Sequence, residues 1–316
     1  MKIKRKLLLF LIGILSVAAI RAQDEPIRVD TNLVTINVSV TDKNGKFVSG
    51  LKPEQFEVLD NKTKQKIEHF SAAEAPVSYG IIYDMHPTTE EKTKAVLESL
   101  KQFTKELRQT DDFFLLAFNS RGSLKLDFIP MLDQLERHLP ESREPNALYD
   151  AIYTAADKIR ASRNLKRTLL IISDSADHQS QHSLKDISRK LKSFDVQVYA
   201  VVFDDNSRWA YGEITRTGRE PSYASKDASG LDRAALQDLT LKSGGTTHFP
   251  VSSNSFRLYS IYKQIAGEIG MQYTLGFYPE TEDGKWHNLS VRLRDVNEKG
   301  LILNYRQGYE NQSQKR

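Results

Sequence analysis

The segment Tyr79-Gly80-Ile81-Ile82-Tyr83-Asp84 is an apolar run that ends on a carboxylate and passes through Met85-His86-Pro87-Thr88 into an amphipathic stretch. A strand without polar alternation is buried on both faces, and such strands belong to parallel sheets covered by helices. In the stretch that follows, Ala95, Val96, Leu100, Phe103 and Leu107 recur at helical spacing, and Thr88-x-x-Glu91 has the form of a capping box. The pair of patterns then repeats along the chain. Spacing predicts strands over 78–84, 112–119, 167–173, 195–203, 246–249 and 272–278, and helices over 89–108, 131–138, 147–162, 182–193, 232–243 and 255–269. Such alternation predicts an α/β fold, a doubly wound, Rossmann-like and mostly parallel six-stranded sheet with helices on both faces.

The two ends of the chain follow a different period. Val34, Ile36, Val38 and Val40 alternate with Thr35, Asn37 and Ser39, the pattern of a half-buried strand, and the turn Lys43-Asn44-Gly45-Lys46 follows. Further strands are predicted from Phe56 to Leu59 and from Gln65 to Phe70, separated by the turn Asp60-Asn61-Lys62. Near the other end, Leu289, Val291 and Leu293 alternate again, and Leu301 to Tyr305 adds a strand. Neither end has enough strands for a core alone, so the two are expected to pair into one small antiparallel β domain. The resulting division is 1–22 leader, 23–76 amino-terminal β segment, 77–279 α/β domain, 280–310 carboxyl-terminal β segment and 311–316 tail.

Charge and cysteine content narrow the setting. Lys2, Lys4, Arg5 and Lys6 precede an apolar run from Leu7 to Ile20, and Ala22 offers a small residue for cleavage, which is the pattern of a secretory signal peptide. The run is too short for an ordinary membrane-spanning helix, although an uncleaved anchor is the alternative. Without residues 1–22, the 45 basic residues fall by five (Lys2, Lys4, Arg5, Lys6, Arg21) to 40, against 41 acidic ones. Nucleic-acid binding then has no electrostatic support. No cysteine is present, which excludes disulfides and lipid attachment at a cysteine. An exported protein, periplasmic or extracellular and not a lipoprotein, with no integral span after cleavage, is the expectation.

In a doubly wound sheet, the loops leaving the carboxyl ends of the strands converge on one crevice. Three turns arrive there: Asp84-Met85-His86-Pro87-Thr88, Asn146-Ala147-Leu148-Tyr149-Asp150 and Ser173-Asp174-Ser175-Ala176-Asp177. Their order and spacing resemble the metal-ion-dependent adhesion site of von Willebrand factor type A (VWA) domains. Gly50-Leu51-Lys52-Pro53-Glu54-Gln55-Phe56-Glu57-Val58 and Tyr305-Arg306-Gln307-Gly308-Tyr309 resemble the flanks of a bacterial exported VWA-related family. The resemblance implies a short antiparallel edge strand at 124–128 and a site of Asp84, His86, Thr88, Asn146 and Asp174. His86 and Thr88 stand at the two serine positions of the first motif, Asn146 at the usual threonine of the second, and Ser175 at the glycine of the third.

The residue types divide over the metal. Asp84, Thr88, Asn146 and Asp174 offer hard oxygens suited to Mg²⁺ or Ca²⁺, whereas His86 suits a transition metal. Three readings stay open: a hard divalent cation, a softer metal shared by His86, His178 and His182, and a site that works without metal. Arg208, Trp209, Tyr211 and Arg216 lie on a long polar loop over 204–231, and with His178 they are the candidate partner contacts. No His-Glu-x-x-His, Gly-x-Ser-x-Gly or phosphate-cradling glycine loop occurs. The expected function is therefore non-enzymatic binding of another protein at the crevice. A structural subunit of an envelope assembly is the second reading, and a metal-dependent hydrolase the third.

Overall fold

The computed structural model describes residues 33–72, 75–84, 90–119, 122–126, 147–173, 177, 179–202, 233–250, 254–294 and 300–311. The chain from Leu33 onward is one compact unit. The expected leader over 1–22, helix over 131–138 and loop over 204–231 lie outside the described residues. In chain order, the first strands are β1 (Val34–Asp42), β2 (Phe56–Asp60), β3 (Thr63–Gln65), β4 (His69–Ser71), β5 (Val77–Asp84), β6 (Asp112–Asn119) and β7 (Gly122–Leu126). They are followed by β8 (Lys166–Ser173), β9 (Gln197–Val202), β10 (Thr247–His248), β11 (Tyr273–Phe277), β12 (Trp286–Leu293), β13 (Leu301–Asn304) and β14 (Gly308–Glu310). The helices are α1 (Glu90–Glu106), α2 (Leu148–Arg160), α3 (Leu184–Lys192), α4 (Arg233–Ser243) and α5 (Ser255–Gly270).

The central sheet has the order β10-β9-β8-β5-β6-β7, with five parallel strands and β7 antiparallel at the edge. β5 lies in the middle, Ile81 level with Leu115 of β6 and Leu170 of β8. Every residue of β5 is buried, as an apolar strand between two helical layers requires. Tyr79, Ile81 and Tyr83 face α1 and α5, where Phe103 meets Tyr79 edge to face at 5.8 Å between ring centres. Ile82, Leu169 and Ile171 face α2, α3 and α4. Strand order, the antiparallel edge and helices on both faces define a VWA-like α/β domain.

The sheet corrects one expected strand. Residues 272–278 do not form a sixth parallel strand: β11 pairs antiparallel with β1 and β4. Across that pairing Thr274 Oγ1 donates to Asn37 Oδ1 at 2.8 Å, which satisfies two buried polar side chains. The expected strand from Gln65 to Phe70 is likewise divided. β3 pairs with β2 and β4 with β11, so the chain crosses between sheets at 66–68.

The chain ends do pair, through β2 with β12 and β1 with β13. Two four-stranded sheets, β13-β1-β11-β4 and β14-β12-β2-β3, close over a core of Val34, Ile36, Val58, Leu275, Phe277 and Val291. The turn at Asn61 and Lys62 takes positive φ at both residues (46° and 73°), the geometry a two-residue hairpin prefers.

β1 is buried on both faces, not one. Its polar residues meet the base of the α/β domain: Thr35 Oγ1 donates to Asp195 at 2.8 Å, Asn37 Nδ2 to Asp195 at 3.2 Å, and Ser39 Oγ to Glu268 at 3.3 Å. Lys166, at the start of β8, donates to the Gln272 carbonyl at 2.7 Å, and burial pushes its ammonium down to about 8. Hydrogen bonds between buried groups thus weld the sandwich to the amino ends of the parallel strands. The carboxyl ends face away from that joint.

Candidate functional site

Asp84 is the last residue of β5 and lies at the carboxyl edge of the sheet, level with Phe118 of β6. Its side chain is 6% exposed. The neighbouring strand β8 ends on Ser173, 2% exposed, whose Oγ donates to Asp84 Oδ2 at 2.8 Å. Parallel pairing sets this contact, because Tyr83 lies level with Ile172 and the next residues of the two strands meet side by side. A buried carboxylate is costly unless donors or a cation meet it, and Ser173 is one such donor. Ser173 was not among the residues the resemblance placed in the site.

The second and third turns are joined by a reciprocal clamp. Ala147 stands at the N-cap of α2 and has no side chain to cap it. The caps come from the loop after β8: the Tyr149 amide donates to Asp177 Oδ1 at 3.1 Å, and the Asp150 amide to Ser180 Oγ at 3.1 Å. Ser180 Oγ in turn donates to Asp177 Oδ1 at 2.5 Å. In the other direction, the Asp150 carboxylate accepts the amides of Gln181 at 3.0 Å and His182 at 2.9 Å. The helix start and the loop each satisfy the other's orphan donors.

His182 completes the clamp. Its Nδ1 lies 2.6 Å from Asp150 Oδ1, which makes that nitrogen the donor to an ionised carboxylate. Its ring stacks on Tyr153, centres 3.8 Å apart, and Lys190 Nζ lies 3.4 Å from the centre of the Tyr153 ring and 2.5 Å from Asp157. Burial pushes the Asp150 carboxyl up, but the two amides and the His182 ring outweigh it and hold it below the ordinary aspartate range. After Ser180 the chain enters α3 through Ser183, whose hydroxyl and Asp186 form a capping box.

Of the residues expected to form the site, Asp84 is described, while His86, Thr88, Asn146, Asp174, His178, Arg208, Trp209, Tyr211 and Arg216 lie outside the described residues. Among the described residues there is no group of three or more histidine or carboxylate side chains placed to hold a metal, and no helix long and apolar enough to cross a membrane. Asp150 and Asp177 end two of the turns legible in the sequence, but their clamp, and the part of Ser180 in it, is not legible there because the partners lie 28 to 32 residues apart in the chain. The signal that could have found them is the uncapped Ala147 beside an Asp and Ser-rich turn.

No family model matches the chain, and no curated protein matches it. Solved structures do. An aerotolerance-related membrane protein from Bacteroides fragilis is 16% identical, with 61% of this chain and 98% of that one covered and a TM-score of 0.43. The ArnB paralog VWA2 from Sulfolobus acidocaldarius is 12% identical, with 89% and 76% covered and a TM-score of 0.44. The pilus adhesin SpaC from Lactobacillus rhamnosus GG is 10% identical, with 84% and 49% covered and a TM-score of 0.47. The VWA-like fold rests on strand order and register rather than on these matches.

Proposed function

We propose that the chain is a non-enzymatic, exported binding protein, periplasmic or extracellular, that engages another protein through the crevice at the carboxyl ends of β5, β6 and β8, with Mg²⁺ or Ca²⁺ held at Asp84. The observation that carries this reading is the buried Asp84 carboxylate at the middle of that edge with the Ser173 hydroxyl on it. Both groups are hard oxygen donors of the kind these cations take. Thr88, Asn146 and Asp174 are the oxygen donors that would complete the site, and His86 is the residue that departs from the ligand set of a hard cation. A bound ion would supply the positive charge to which a partner carboxylate coordinates.

The clamp supports the same reading. It fixes the loop after β8 against the first turn of α2, so these two elements of the crevice need not be ordered when a partner arrives. Arg208, Trp209, Tyr211, Arg216 and His178 are the proposed partner contacts at the rim. Affinity capture from an envelope extract tests the proposal. The wild-type protein with Mg²⁺ should enrich a partner that both EDTA and the Asp84→Asn substitution release. Equal enrichment in all three conditions would remove Asp84 and the cation from the binding mechanism.

A further inference from the structure

At the opposite end of the domain from Asp84, a cavity of about 190 Å³ opens between the last turns of α3 and α4 and the strands β12 and β14. Its inner wall is apolar, formed by Leu191, Val196 and Leu239 with Phe194 beside them. Its outer wall is the indole of Trp286, 39% exposed. That ring is held by a side-chain hydrogen bond and lies close over a glycine: Nε1 donates to Asn288 Oδ1 at 3.0 Å, and a Cβ on Gly308 would come within 2.7 Å of indole Cε2. Gly308 belongs to the Tyr305–Tyr309 stretch, which has no part in the crevice.

The charge of the lining is one-sided. Lys192, Lys242 and Arg306 line the cavity and no carboxylate does. Arg306 is engaged inward, donating to the Thr35 carbonyl and lying with Nε 3.4 Å from Asp195, an ion-pair distance without hydrogen-bond geometry. Lys192 and Lys242, the second shared with Asp238, are therefore the cations left to meet an anion. Lys192 Nζ stands 4.6 Å from the Trp286 ring centre, and Lys242 also meets Asp238 at the surface, at 2.6 Å. Helix carboxyl ends ordinarily repel anions. Here four carbonyls of the last turns accept backbone amides: Lys190 from Ser193, Thr240 from Gly245, Leu241 from Gly244 and Lys242 from Gln307.

From size, apolar wall and charge, we propose that this cavity binds a small amphiphilic carboxylate, one aromatic or branched apolar group with the anion beside it. An apolar cavity of about 150 Å³ accommodates benzene, so the volume here admits one ring and a short arm. The ring packs against Leu191, Leu239 and Trp286, and the carboxylate meets Lys192 and Lys242 at the mouth.

The test uses full-length protein carrying Trp209→Phe, which leaves Trp286 as the single tryptophan. Titration with 3-phenylpropionate should change its emission saturably. The neutral 3-phenylpropionamide and the double variant Lys192→Gln/Lys242→Gln should each bind about tenfold more weakly, because a charge-assisted contact is lost. Ser188→Leu, which fills the cavity from α3, should abolish the response with the unfolding midpoint retained. The lysine variants change exposed side chains, so they remain informative even if Ser188→Leu fails to fold. No saturable response up to about 10 mM, equal binding of the amide, or wild-type affinity in the double lysine variant would overturn the proposal.

Discussion

Asp177→Ala removes the acceptor that joins the third turn of the site to the helix of the second. In the folded protein Asp177 Oδ1 accepts the Tyr149 amide at 3.1 Å and the Ser180 hydroxyl at 2.5 Å. Loss of a helix cap costs about 0.5–2 kcal/mol, and the lost hydroxyl–carboxylate bond adds up to about 1 kcal/mol because the partly exposed Ser180 can turn to water. The sum is about 0.5–3 kcal/mol. For a domain of this size that lowers Tm by about 1–6 °C. Urea unfolding at pH 7 measures it, with Asp177→Asn as the control, since the amide oxygen keeps the acceptor and should recover more than half of the loss. A change within about 0.5 kcal/mol for Asp177→Ala, or equal losses for both variants, would refute the reciprocal clamp.

Three further outcomes follow from named contacts. The Asp150 carboxyl is held low in the folded state, so its contribution is complete above the ordinary aspartate pKa of about 3.9 and fades as pH falls through the folded value. The stability gap between wild type and Asp150→Asn should thus shrink as pH falls below about 4, and a gap that grows over that range contradicts it. His287 behaves oppositely: burial alone would lower its imidazolium, but Asp60, 2.8 Å from Nδ1, and Asp283, 3.2 Å from Nε2, outweigh that and raise it, with the Tyr309 hydroxyl also on Asp60. Its contribution is complete below about pH 6.5 and lost as pH rises through the raised folded value, so His287→Gln should cost more at pH 5.5 than at pH 9 by chemical denaturation. Gly80→Ala would push a Cβ to 2.6 Å from both Leu169 Cδ2 and Phe114 Cζ in the middle of the sheet. It should cost about 1–3 kcal/mol by overpacking, and a neutral result would mean the helical layers yield more than the close packing implies.

Much of the architecture could be read from residue order because β5 and β8 are apolar without alternation, which only a doubly covered sheet accepts. Residues 272–278 read differently: Tyr273, Leu275 and Phe277 alternate with Thr274 and Gly276, the pattern of a sandwich strand, and the contact that pairs them with β1, Thr274 with Asn37, spans 237 residues. In β1 the polar residues looked solvent-facing, yet they are buried by hydrogen bonds to Asp195 and Glu268, which no local pattern shows. At the site, Asp84 was legible as a carboxylate closing a buried strand. Ser173 and the clamp were not, because lateral register and loop-to-helix capping are properties of the folded chain rather than of neighbouring residues.

A hard divalent cation held by Asp84 at the crevice, as proposed, would stabilise the folded protein. After EDTA treatment and removal of the chelator, the unfolding midpoint of wild type and Asp84→Asn is followed against Mg²⁺ and Ca²⁺. Binding to the folded state alone stabilises by about 2.7 kcal/mol at a hundredfold excess over Kd. Wild type should therefore show a saturable rise with at least one of the two ions, and Asp84→Asn none beyond the effect of matched NaCl. A wild-type midpoint insensitive to both ions, or an equal rise in the variant, would contradict the account.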